Sequence, residues 1–97
     1  MKKSTALKHL RQLKGQLEAI GVTQLGLFGS TVRDEYQPGS DIDILLDFDA
    51  DKETYLNFLN ACQLLQDSFK RDKVDVVTRK GLSPYIGQTI LNEVVYV

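Results

Sequence analysis

Apolar residues in the first part of the chain recur at helical spacing. The stripe comprises Ala6, Leu7, Leu10, Leu13, Leu17 and Ile20, and it predicts a first helix that stops at Gly21. From Val22 to Phe28 the pattern changes to a short, dense apolar run that leads into Gly29-Ser30. This change predicts a buried strand that ends in a turn.

The clearest strand lies between Asp41 and Phe48, where residue types alternate. One face would carry Ile42, Ile44, Leu46 and Phe48, and the other Asp41, Asp43, Leu45 and Asp47. Between the two strands we expect a short second helix near residues 31–35 and a loop at residues 37–40, where Pro38 and Gly39 are typical of turns.

The second half of the chain repeats the alternation of helix and strand. Phe58, Cys62, Leu65 and Phe69 form the stripe of a third helix, and Lys73 to Thr78 reads as a strand. Ser83-Pro84 is a typical helix start, and the last helix should run to about Asn92. The order α-β-α-β-α-β-α predicts one α/β or α+β domain over residues 1–97, with helices covering a small sheet.

Composition narrows the classes of function. The 97 residues are 42% apolar and 26% charged, and a net charge near −1 offers no positive field for long nucleic acids. No apolar run approaches the roughly 18 residues of a membrane span, and charges interrupt any leader, so we expect a cytoplasmic protein. The single cysteine, Cys62, is expected in the core and the single histidine, His9, in solvent. Chemistry must therefore rest on carboxylates, hydroxyls and backbone groups.

Asp41 and Asp43 are the first candidates for that chemistry. Because Asp41 and Asp43 are two positions apart on a strand, their side chains lie on the same face of the sheet, with their bases separated by about 6 to 7 Å. Carboxylates in this arrangement suit Mg²⁺, and two such ions can serve an attacking oxygen and a departing pyrophosphate. Asp75 lies inside an otherwise apolar strand and would complete the set if that strand neighbours the Asp41 strand. The acids also have plainer readings, as a surface strand start and a solvated edge residue.

Gly29-Ser30 is the candidate phosphate contact. A glycine that closes a strand and opens a helix lets backbone N–H groups approach a phosphate, and Ser30 adds a hydroxyl. Arg33, one turn further on, could reach the same phosphates, and Ser40, directly before the first acid, is a further candidate contact to the nucleotide. A Gly-Ser pair is also an ordinary turn, and Arg33 beside Asp34 and Glu35 could equally form a surface ion pair.

Taken together, Leu27-Phe28-Gly29-Ser30, a ten-residue spacer, Asp41-Ile42-Asp43 and the later Asp75 resemble the minimal nucleotidyltransferase (MNT) family of the DNA polymerase β superfamily. The resemblance implies a mixed sheet flanked by helices. It also implies Mg²⁺ held by Asp41, Asp43 and Asp75, and a nucleoside triphosphate, ATP, whose phosphates meet Gly29 and Ser30. One departure is Asp34, where many members have glycine after the arginine, so the role of Arg33 stays open.

Short proteins of this kind are similar to the antitoxins of HEPN ribonuclease toxins, in which the MNT protein transfers AMP to a toxin tyrosine. The resemblance therefore implies AMP transfer from ATP to a hydroxyl acceptor on a HEPN partner. Two alternatives remain: an antitoxin that acts by occlusion without catalysis, and nucleotidyl transfer to a small molecule. No motif in the chain distinguishes adenine from guanine.

Overall fold

A computed structural model describes residues 1–35, 37 and 39–97. The helices are α1 (Lys3–Ala19), α2 (Tyr55–Ser68) and α3 (Pro84–Glu93), and the strands are β1 (Val22–Phe28), β2 (Ile42–Phe48), β3 (Val74–Thr78) and β4 (Val95–Tyr96). Short 3₁₀ helices follow β1 at Gly29–Thr31 and β2 at Ala50–Lys52.

The four strands form one mixed sheet in the order β3-β2-β1-β4. β1 is antiparallel to both β2 and β4, whereas β2 and β3 run parallel. A parallel pair needs a crossover, and α2 provides it. The predicted mixed α/β fold is therefore confirmed.

The main core lies between one face of the sheet and the helices α1 and α2. The alternation predicted for β2 is confirmed on this face, because Ile42, Ile44 and Leu46 are completely buried. They join buried side chains from the neighbouring elements, namely Leu10, Leu17, Leu25, Leu27, Leu65 and Phe69. With one face of β2 committed to the core, Asp43 and Asp47 must lie on the opposite face.

One local prediction differs from the structure, and another falls partly outside the described residues. The short second helix predicted near residues 31–35 is wrong: a 3₁₀ turn over Gly29–Thr31 gives way to an irregular turn in which Asp34 has φ 56°. The left-handed conformation at Asp34 cannot continue a right-handed helix. The predicted loop at 37–40 includes Pro38, which lies outside the described residues.

The end of the chain holds a strand that the pattern did not predict. β4 has two residues, too few for any periodicity, and it exists because β1 offers it a free edge. The helix before it begins as predicted, since the Ser83 hydroxyl accepts a hydrogen bond from the Ile86 N–H at 3.1 Å. α3 ends at Glu93, one residue later than expected.

The histidine and the cysteine are both half-buried. Nδ1 of His9 lies 3.1 Å from the Ser68 hydroxyl and its ring packs on Phe69 at 5.0 Å, so the expectation of a solvated His9 is wrong. It sits where α1 meets α2. Cys62 has its thiol pKa raised by burial, so it is a poor nucleophile in this setting. None of the helices in residues 1–35, 37 and 39–97 is both long and apolar enough to cross a bilayer.

Candidate active site

Three residues form a row across one end of the sheet. In the antiparallel pair Phe28 lies opposite Asp43, and in the parallel pair Asp43 lies beside Asp75. Neighbouring strands are about 4.8 Å apart, so the two aspartates are direct neighbours. The adjacency of the two acid-bearing strands, which the sequence left as an inference, is confirmed. Asp41 comes immediately before β2 and is half-buried, whereas Asp75 is exposed.

Asp43 is the most perturbed carboxylate of the group. Its pKa is raised to about 6, first by burial and then by the charges of Asp75 and Asp41. Glu93 adds to this effect and Arg33 opposes it. Burial and nearby negative charges both disfavour the ionised form of Asp43. A cation placed among these carboxylates would reduce the repulsion between them.

Gly29 is the turn residue directly beside Asp43. Its φ is +77°, in the left-handed region that glycine adopts without steric cost. A Cβ at this position would also collide with the carboxylate of Asp43. Both the conformation and the space therefore require glycine, and the backbone of the turn packs against the central acid of the row.

The Gly29 turn is held by Glu93, which the sequence did not single out. The Gly29 N–H donates a hydrogen bond to Glu93 Oε1 at 2.8 Å, and Arg33 Nη1 donates to Glu93 Oε2 at 2.8 Å. Pairing of β4 with β1 places Val95 opposite Leu27, which brings the end of α3 next to the turn. In the sequence, Glu93 is recognisable only as an acid directly before the apolar residues 94–97. Its contact with Gly29 could be inferred only once the pairing of β4 with β1 was known.

Arg33 and the two serines lie near the turn with different partners. Arg33 is exposed and pairs with both Glu35 and Glu93, which raises the pKa of its guanidinium. The alternative prediction, that Arg33 forms a surface ion pair, is therefore confirmed. Ser30 is half-buried in the turn, and the Ser40 hydroxyl accepts a hydrogen bond from the Gln37 N–H at 3.2 Å. This hydrogen bond links Gln37 to the residue directly before Asp41.

The carboxylates of Asp41, Asp43 and Asp75 are suitable ligands for a divalent cation. Carboxylate oxygens are the ligands that Mg²⁺ prefers, and burial together with the charges of Asp75 and Asp41 raises the pKa of Asp43. Among the described side chains, no group of three or more His, Cys, Asp or Glu is close enough to enclose an ion as it stands. Mg²⁺ keeps several waters and takes substrate phosphates as further ligands, so an all-protein cage is not what it requires.

One polar atom in the same turn has no protein partner. Thr31 is 1% exposed, and its hydroxyl is buried without a hydrogen bond. Leaving a buried hydroxyl unpaired costs about 1 to 3 kcal/mol. Thr31 closes the 3₁₀ helix that begins at Gly29, so the turn contains a local source of instability.

A glycine turn beside paired acids, at one end of a mixed sheet, is the arrangement that the sequence led us to expect of a nucleotidyltransferase. The nucleotidyltransferase domain family matches residues 6–97, and the chain belongs to this family. It is 38% identical over 89 residues to the protein adenylyltransferase MntA of Thermococcus cleftensis, across 92% of this chain and 85% of the relative.

Solved structures agree with this assignment. A protein described as a minimal nucleotidyltransferase superposes with a TM-score of 0.84 at 25% identity, covering 98% of this chain and 95% of the other. The fold also matches a complex of a tri-AMPylated Shewanella oneidensis HEPN toxin with its MNT antitoxin, with a TM-score of 0.66, 19% identity and coverage of 94% and 70%. The resemblance to the MNT family is confirmed, and the protein is a nucleotidyltransferase.

Proposed function

We propose that this protein is a Mg²⁺-dependent adenylyltransferase that moves AMP from ATP to a hydroxyl acceptor, a tyrosine of a partner HEPN toxin. One observation carries the proposal: Asp43 lies beside Asp75 on the next strand and against the Gly29 turn. The acids that would bind the metal and the turn that would bind the phosphates are therefore close together, as transfer from a nucleoside triphosphate requires.

We assign the roles residue by residue. Asp41, Asp43 and Asp75 would hold Mg²⁺, with two ions expected from the number of carboxylates. Bound Mg²⁺ would neutralise charge on the phosphates and on the departing pyrophosphate. Gly29 and Ser30 would contact the phosphates through the turn. Arg33 would add a guanidinium contact, and Ser40, directly before Asp41, would add a further contact to the nucleotide.

The reaction is an in-line displacement at phosphorus. The acceptor hydroxyl oxygen bonds to the α-phosphorus, the bond from that phosphorus to the bridging oxygen of the β-phosphate breaks, and pyrophosphate leaves with the electron pair. The hydroxyl proton passes to a carboxylate of the row. Asp75 is the exposed member and so the one an incoming acceptor meets first.

Two relatives support the choice of acceptor. The Thermococcus cleftensis relative is a protein adenylyltransferase, and the MNT antitoxin of like fold is bound to a toxin that carries AMP. A partner protein that presents its own hydroxyl would be an acceptor of this kind.

The test is transfer of label from α-³²P-ATP. The protein, Mg²⁺ and the product of the adjacent reading frame should give a labelled partner, and Asp43→Asn should reduce labelling at least about 100-fold, because removing a transition-state electrostatic group has effects of that size. Asp51→Asn is the matched control, an exposed aspartate in the 3₁₀ helix that follows the opposite end of β2. Absence of label with the wild-type protein, or labelling that survives Asp43→Asn, would contradict the proposal.

A second candidate, neutralisation of a toxin by occlusion alone, is favoured by exposed apolar side chains. Tyr55 is 78% exposed, Leu56 66% and Tyr85 91%. Such residues are typical of protein interfaces. Toxin neutralisation that is lost in Leu56→Asp but retained in the Asp41→Ala, Asp43→Ala double variant would support occlusion over catalysis.

A further inference from the structure

The carboxylate of Glu93 bridges the donors that a nucleotide phosphate would use. Each of its oxygens accepts from a different group: Oε1 from the Gly29 N–H and Oε2 from the Arg33 guanidinium, both at 2.8 Å. A backbone N–H at a glycine turn and a guanidinium are the donors that commonly bind phosphate oxygens in proteins. The position suited to an anion is thus filled by an anion of the chain itself.

The fold holds the backbone of Glu93 and leaves its side chain able to move. β4 pairs with β1 on one side of Glu93, and the Val97 N–H donates to the Leu25 carbonyl at 2.9 Å. At the end of α3, the Val94 N–H donates a hydrogen bond to the Ile90 carbonyl at 2.9 Å and so holds the residue next to Glu93 against the helix. The Glu93 side chain is 24% exposed, so rotation about its own bonds can carry the carboxylate into solvent without moving a helix.

A phosphate and Glu93 cannot both accept from the Gly29 N–H. The Gly29 N–H has one hydrogen, and two anions that approach it would repel each other at short range. The charge of Glu93 also acts on Asp43, so the carboxylate already adds to the negative charge of the site. Entry of a triphosphate therefore requires this carboxylate to leave.

We propose that Glu93 is an internal competitor of the nucleotide: it occupies the phosphate position at Gly29 and Arg33 in the nucleotide-free protein and is displaced when the nucleotide binds. This inference rests on the proposed nucleotide contact at Gly29. Its consequence is that Glu93 lowers nucleotide affinity, while keeping the turn ordered when the site holds no substrate.

The first test is affinity for Mg²⁺ and a non-hydrolysable ATP analogue, measured by calorimetry. Glu93→Gln keeps the shape of the side chain and an oxygen acceptor but removes the charge. We expect it to bind the nucleotide roughly five- to tenfold more tightly, the change that loss of one charge-assisted competing hydrogen bond produces. Glu35→Gln is the matched control, since the Glu35 carboxylate also pairs with Arg33 but, among the described residues, forms no hydrogen bond with the Gly29 N–H. It should change affinity by less than about twofold.

The second test uses the unaltered protein and so does not depend on a variant that folds. With ¹³C-labelled glutamate carboxyls, the Glu93 signal is identified by its absence from Glu93→Gln. Nucleotide saturation should move this signal towards that of a solvent-exposed glutamate. A Glu93 signal that does not move, or Glu93→Gln binding equal to or weaker than wild type, overturns the inference and makes Glu93 a support of the turn.

The two proposals fail in distinguishable ways. If neither the wild-type protein nor Glu93→Gln binds the nucleotide, the proposed function fails and this inference fails with it. If the wild-type protein binds and Glu93→Gln binds no more tightly, only the inference fails. Binding by Glu93→Gln together with undetectable binding by the wild type supports both proposals.

Discussion

Asp43→Asn should make the metal-free protein more stable at alkaline pH. The folded pKa of Asp43 is about 6, above its ordinary value of 3.8. Folding therefore favours the protonated carboxyl, whose stabilising effect is complete below about pH 4 and is lost as the pH rises through 6. Asparagine resembles the protonated form in size and carries no charge at any pH, so the variant avoids this loss.

The magnitude follows from the size of the shift. A rise of about two pKa units corresponds to about 3 kcal/mol for a fully buried group, at 1.36 kcal/mol per unit. Asp43 is only half-buried, and solvent screens its repulsion by Asp75 and Asp41, so we expect about 1 kcal/mol. In a domain of this size, that is about 4 to 8 °C in Tm.

The assay is thermal unfolding in EDTA between pH 4 and pH 8.5. The Tm advantage of Asp43→Asn should be largest above pH 7 and should vanish near pH 4, whereas Asp51→Asn should show no such trend. Mg²⁺ should then raise the Tm of the wild-type protein at pH 8 and leave Asp43→Asn nearly unchanged, because the cation cancels the repulsion only where the carboxylate is present. An advantage of Asp43→Asn that grows as the pH falls would refute the reasoning, since it has the opposite sign.

Three further predictions concern the turn and can be measured by urea unfolding. Gly29→Ala should lose at least about 2 kcal/mol, because the position has φ +77° and a Cβ would meet Asp43; Gly15→Ala in α1, with open space around the added Cβ, should instead gain about 0.5 to 1 kcal/mol. Thr31→Val should gain about 1 kcal/mol by removing the unpaired buried hydroxyl, and a loss of stability would mean that this hydroxyl has a partner such as water. Asp34→Gly should gain about 0.5 kcal/mol at φ 56°, where glycine carries no steric penalty, and an equal gain in Asp34→Ala would contradict that cause.

The long elements and the acids were predictable because local patterns encode them. The stripe of α1 and the alternation of β2 have periods that one segment displays by itself, and the Ser83-Pro84 start depends on neighbouring residues only. Asp41, Asp43 and Gly29-Ser30 belong to the same class. Their chemistry and spacing are visible without knowing the rest of the fold.

Asp34 shows where local reasoning was incomplete. The family resemblance implied that many members have glycine where this chain has Asp34. The structure supplies a physical reason: φ is 56° at this residue, a conformation that glycine favours and aspartate tolerates. The short helix predicted near residues 31–35 does not form, because a left-handed residue interrupts helical hydrogen bonding. The aspartate in place of glycine at position 34 therefore affects the backbone conformation of the turn directly, and Arg33 only through that backbone.

The contacts that complete the site join residues far apart in the chain, and no local pattern carries them. Asp43 meets Asp75 because β2 and β3 are paired in parallel with that register, and a shift of one residue would have put the two carboxylates on opposite faces. Glu93 reaches Gly29 because a two-residue strand fills the free edge of β1. Each of these two contacts forms only if the free energy gained by burying one face of the sheet exceeds the entropy lost in closing a long loop. That difference depends on the whole chain, so no single segment of the sequence reveals it.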